Sequence, residues 1–85
     1  MVESSRFSVV VIGPSLAPEA QRTLTARAEV YVTGAYPPVE RTIGIVREHQ
    51  AQAIIVRQGD VTREVLMASS RLAIVVKHGV GVDHI

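Results

Sequence analysis

Three runs of this chain are continuously apolar and rich in β-branched residues: Ser8-Val9-Val10-Val11-Ile12, Ala53-Ile54-Ile55-Val56 and Ala73-Ile74-Val75-Val76. A strand with one face in water alternates polar and apolar residues, whereas a continuous run suits a strand covered on both faces. These runs predict strands of a parallel sheet sandwiched between helices. A fourth run, Glu29-Val30-Tyr31-Val32-Thr33, does alternate, and it reads as a strand at the sheet edge with one exposed face.

The gaps between the runs carry helix signals. Ser15 or Ala17 precedes Pro18-Glu19, where proline suits a first helical turn and glutamate complements the positive end of the dipole. Leu16, Ala20 and Leu24 then fall on one face. After Pro37-Pro38, Val39, Ile43 and Val46 recur every three to four residues through about Gln50, and Gly44 weakens that helix. Thr62 caps a short third helix from Arg63 to about Ser69, which is expected to bury Val65, Leu66 and Met67. Strand and helix thus alternate, which implies parallel strands joined by right-handed crossovers. With the alternating strand at the edge, the order is 2-1-3-4, a flavodoxin-like three-layer α/β/α fold. Ligands of such sheets bind at the carboxyl ends of the strands, where Gly13-Pro14-Ser15, Arg57-Gln58-Gly59 and His78-Gly79-Val80-Gly81 would gather.

Composition narrows the function. Eighty-five residues allow one small domain. The net charge is +1 with the basic residues scattered, so there is no footprint for nucleic acid or anionic lipid. The absence of cysteine excludes disulfides, thiolate metal sites and a cysteine nucleophile. The apolar run Val9–Ile12 is too short for a signal peptide or a membrane span, and a cytoplasmic location is expected.

At the strand ends, Gly79-Val80-Gly81 is not a dinucleotide-binding G-x-G-x-x-G, because the sixth position is His84 and the turn follows the fourth strand rather than the first. Two readings stand: the amides of Val80 and Gly81 hold a carboxylate, or the glycines only permit a tight turn. Arg57 directly follows a strand, and its fork of donors suits a carboxylate or phosphate; a salt bridge with Asp60 is the competing reading. Gln58 adds a hydrogen bond or faces water. His78 and His84, with only Asp83 near them in sequence, read as hydrogen-bonding or exposed histidines rather than metal ligands, and Asp83 is placed to brace the loop. Neither a Ser-His-Asp set nor paired carboxylates nor a P-loop can be assembled.

The stretch from Ala53 to Leu66, with Val56-Arg57 and Thr62-x-Glu64-Val65-Leu66, then Arg71-Leu72, then Lys77-His78-Gly79-Val80-Gly81-Val82-Asp83-His84-Ile85, resembles the D-isomer-specific 2-hydroxyacid dehydrogenases, and most closely their phosphoglycerate dehydrogenase branch. The resemblance is strong over residues 50–85 and rests on the strand–helix pattern over residues 6–49. It implies that residues 1–85 form the first, truncated part of a substrate-binding domain. By the same resemblance, Arg57, Gln58, Gly79, Val80 and Gly81 line the site of a small 2-hydroxy or 2-oxo acid. Gln58 departs from the serine that often follows this arginine, and Gly59-Asp60 is a second departure. The family's NAD-binding Rossmann domain and its catalytic arginine, glutamate and histidine have no counterpart here, and by the same resemblance the parent enzyme is expected to be a homo-oligomer. The chain alone is therefore expected to be inactive as an oxidoreductase. An open apolar edge and an uncovered face at Ala73–Val76, which lacks the family's completing segments, are expected to favour self-association. A stand-alone flavodoxin-like module binding a small anion is the alternative. A receiver domain is not, because Gly13-Pro14 and Arg57-Gln58 stand where its acidic residues would be.

Overall fold

The computed structural model describes residues 7–58 and 61–77. Strands and helices alternate as β1 (Phe7–Ile12), α1 (Pro18–Thr25), β2 (Ala28–Val32), α2 (Val39–His49), β3 (Ala53–Val56), α3 (Arg63–Met67) and β4 (Ile74–Lys77). All strand pairings are parallel and the order is β2-β1-β3-β4, with helices on both faces, in the flavodoxin-like manner expected from the sequence. Val10 aligns with Tyr31 on one side and Ile54 on the other, and Ile54 in turn aligns with Val75.

Side chains alternate across the sheet, and so the continuous apolar runs feed two separate cores. Val10, Ile12, Ile54 and Val56 face α2 and α3, where Val46, Ala51, Val65 and Ala68 complete one buried cluster. Val9, Ala53 and Ala28 form the other, against Leu24 of α1 and the half-buried Val30 and Ile55. The first cluster is the larger, because two helices cover that face and one covers the other.

Local chemistry explains the helix limits. Thr62 accepts a hydrogen bond from the Val65 N–H at 3.2 Å, the expected cap of α3. At the end of α2, Gln50 takes a left-handed conformation, and the Ala51 N–H donates to the Val46 carbonyl. The side chain of Gln50 then accepts from the N–H and hydroxyl of Ser70, tying α2 to the segment after α3.

Three expectations need correction. In α3 only Val65 is buried; Leu66 and Met67 are exposed, because a helix of five residues presents a single turn to the core. The polar positions of β2 do not form an exposed face, because Tyr31 packs against the α2–α3 core and Thr33 at the strand end is buried. The third apolar run is not covered on both faces. Ile74, Val75 and Val76 are 52%, 42% and 43% exposed, whereas Val10 and Ile54 in the central strands are sealed. Burial in the sheet falls away at β4 because neither α1 nor α3 extends over it among the described residues.

Two outcomes follow for stability and solubility. Ile54→Ala is expected to cost about 2–5 kcal/mol, read from urea denaturation, because its side chain is enclosed on the two-helix face. The chain is expected to self-associate through β4 as its concentration rises in sedimentation velocity, and Ile74→Thr with Val76→Thr to lessen this while retaining β-branching. A monodisperse monomer for the unsubstituted chain contradicts the latter.

Candidate functional site

The order β2-β1-β3-β4 places the reversal of winding between β1 and β3, and the crevice of such sheets opens at the carboxyl ends of those two strands. β1 ends there in Gly13, with φ of +119°, a backbone setting that side chains other than hydrogen rarely permit. Beside it, the N–H groups of Arg57 and Gln58 both donate to the Ile12 carbonyl, at 2.8 and 3.1 Å. A methyl group on Gly13 would lie 3.0 Å from the Gln58 backbone nitrogen and 3.1 Å from the Arg57 Cβ. Only glycine lets the two strand ends close to this distance.

The β2 end is drawn into the same junction. The Gly13 N–H donates to the Thr33 hydroxyl at 2.9 Å, and that hydroxyl donates to the Gly34 carbonyl at 3.0 Å. The Gly34 N–H returns a bond to the Gly13 carbonyl, forming an antiparallel bridge in an otherwise parallel sheet. From α2, the Arg41 Nε donates to the Thr33 carbonyl at 3.1 Å. Thr33 is buried, and its hydroxyl is satisfied both as acceptor and as donor.

Arg57 and Gln58, the two candidate residues within the described segments, both stand at this junction. The Arg57 Nη1 donates to the carbonyls of Ser15 and Pro14, so the guanidinium reaches across from β3 to the loop that follows β1. It makes no ion pair with a described residue, and Asp60, the partner considered from sequence, lies outside the described residues. Gln58 does not simply face water: its Oε1 accepts the Tyr36 N–H at 3.1 Å, joining β3 to the loop after β2. Gly79, Val80 and Gly81 lie outside the described residues, as do Gly59, His78, Asp83 and His84. Lys77 ends β4 and is exposed.

Sequence reasoning passed over two features. Gly13 was one member of a loop, although a strand running into Gly-Pro is a usable signal for a close approach of backbones. His49, which had no assignment, stacks on the Tyr31 ring with centroids 3.5 Å apart and planes 11° from parallel. Burial, and next the hydrogen bond from its hydroxyl to the Glu29 carboxylate at 2.9 Å, hold the Tyr31 phenol above its usual pKa.

The described residues do not fit a dinucleotide. The loop from β1 to α1 offers one glycine, Pro18 lacks an N–H at the first helical position, and Glu19 adds a negative charge to the first turn. Among the described residues no three His, Asp or Glu side chains gather as metal ligands, and no helix is long and apolar enough to cross a membrane.

Gly13→Ala is expected to destabilise the fold by about 1–3 kcal/mol, since strain and a backbone clash coincide. Gly44→Ala, in open space on α2, is expected to stabilise it by about 0.5–1 kcal/mol. Equal effects in urea melts would contradict this account of the junction. For Tyr31, a folded-state pKa above the unfolded one means a stabilising contribution that is whole at neutral pH. It is lost as pH rises through the folded value. Tyr31→Phe is expected to remove that part of the alkaline loss, seen in thermal melts across pH.

The chain was compared with known proteins. No curated protein and no solved structure matched. A family model did: the catalytic domain of the D-isomer specific 2-hydroxyacid dehydrogenases, over residues 9–85. The match runs from inside β1 through the end of the chain and takes in the strand ends that meet at Gly13, Arg57 and Gln58. This chain belongs to the D-isomer-specific 2-hydroxyacid dehydrogenases, within their catalytic domain.

Proposed function

We propose that residues 1–85 are part of the substrate-binding domain of an NAD-dependent, phosphoglycerate dehydrogenase-like enzyme, and that they supply one wall of the site for the carboxylate of a small D-2-hydroxy or 2-oxo acid. The observation that carries this reading is the place of Arg57, at the switch point between β1 and β3, where an open α/β sheet takes its ligand. One guanidinium nitrogen, Nη1, is anchored on the Pro14 and Ser15 carbonyls, which fixes the orientation of the plane. Nε and Nη2 have no partner among the described residues and present donors to a carboxylate.

Gln58 has its carbonyl oxygen engaged by Tyr36, leaving its NH₂ to donate. In this reading the amides of Val80 and Gly81 also hold that carboxylate. The chain binds and orients the acid. Hydride acceptance from the 2-hydroxy carbon is the chemistry NAD supplies, and its site in this proposal lies on a part of the enzyme outside these residues. A stand-alone anion-binding module of the same fold is a weaker reading, because the match is to a catalytic domain.

Two measurements on the 85-residue chain test the proposal. Calorimetric titration is expected to detect D-glycerate or its 2-oxo analogue but not NADH, and Arg57→Met is expected to weaken acid binding about tenfold or more. Incubation with NADH and 2-oxo acids is expected to leave the NADH absorbance unchanged. Reduction of a 2-oxo acid by the chain alone, or acid binding indifferent to Arg57, would overturn the reading.

A further inference from the structure

We propose that Tyr36 is a specificity-determining residue of the acid site, its ring meeting the group that the acid carries beyond its 2-carbon. This rests on the placement of the acid at Arg57 and Gln58. Among the described residues, two other than glycine have positive φ, Tyr36 at +47° and Gln50 at +45°. Gln50 has a structural reason, since it closes the C-terminus of α2. Tyr36 terminates no helix. Its backbone setting is disfavoured for a bulky side chain, and Pro37 after it restricts the backbone further.

Burial does not repay that strain, because Tyr36 is 75% exposed. Glycine or asparagine would make the same turn with less cost. What holds Tyr36 in place is the Gln58 side chain, which accepts its N–H at 3.1 Å. The loop on either side is pinned as well, by the Gly13–Gly34 bridge before it and by Pro37-Pro38 leading into α2 after it. A strained, exposed aromatic residue is thus fixed at the carboxyl edge of the sheet by the residue adjacent to Arg57. Strain held by surrounding structure at a ligand edge points to contact with the ligand.

A tyrosine ring has flat apolar faces, so it favours an acid with an apolar or aromatic 3-substituent over the bare two-carbon acid. Gln58 also links the two halves of the site: the carboxamide that in this reading donates to the acid holds the Tyr36 backbone through its oxygen.

The test compares glycolate with D-phenyllactate, titrated into the wild-type chain and into Tyr36→Asn and Tyr36→Gly, both of which suit positive φ. Circular dichroism confirms that each variant is folded. The wild-type chain is expected to prefer D-phenyllactate, and both variants to reduce that preference about threefold to tenfold. Tyr36→Phe is expected to keep it. A preference that is unchanged in the variants, or absent from the wild-type chain while both acids bind, overturns the role of Tyr36 and leaves the acid site standing. If neither acid binds the folded wild-type chain, the acid site itself fails, and the inference fails with it.

Discussion

The closure of β1 onto β3 at Gly13 is the constraint on which the rest of the molecule depends. Two consecutive amides of the β3 end converge on a single carbonyl of the β1 end, and there is no room for a side chain between them. That closeness fixes the register of the central strands, and the register in turn determines which residues meet α2 and α3 and which meet α1. It also brings the Arg57 guanidinium within reach of the loop after β1 and the Gln58 carboxamide within reach of the loop after β2. Packing and site geometry thus share one cause. The strand ends that must approach for the sheet to close are the ends that form the crevice.

Much of this was legible in the residues. Val9–Ile12 and Ala53–Val56 are apolar at consecutive positions because both of their faces are covered, and the alternation of Glu29–Thr33 marked the edge. The cap at Thr62 and the helix after Pro37-Pro38 were legible for local reasons of the same kind, since a hydroxyl or a proline acts on its own neighbourhood. The exposure of β4 was expected from the resemblance, which leaves the strand without its covering segments, and not from its own run. Ile74-Val75-Val76 has the composition of a covered strand, and composition does not say which helix covers it. Leu66 and Met67 were misplaced for a related reason: the apolar side chains are there, but a single turn cannot turn them all inward.

The site was half legible. Arg57 stands at a strand end in any parallel reading of the chain, so its place was predictable, but its bonds to the Pro14 and Ser15 carbonyls depend on a loop that folds back from elsewhere. The same holds for Gln58 and Tyr36, which are far apart in sequence and are joined only because β2 and β3 flank β1. Membership of the 2-hydroxyacid dehydrogenases gives these geometric facts a chemical direction. An arginine anchored by one nitrogen and a glutamine anchored by its oxygen are both left with donors, the complement of a carboxylate. The β1–α1 loop, with Pro18 and Glu19 at its helix, is unsuited to a dinucleotide. In the proposed reading, the described residues hold the acid rather than the coenzyme.

The most direct test of the central claim, that the β1–β3 junction is where the acid sits, is an amide-resolved NMR titration of the chain with a small 2-hydroxy acid. The account predicts saturable shifts centred on Gly13, Ser15, Arg57 and Gln58, with little change at Ser8, His49 and Gln52 on the opposite edge of the sheet. Shifts centred on that opposite edge, or no saturable shift at the junction in a folded chain, would contradict it.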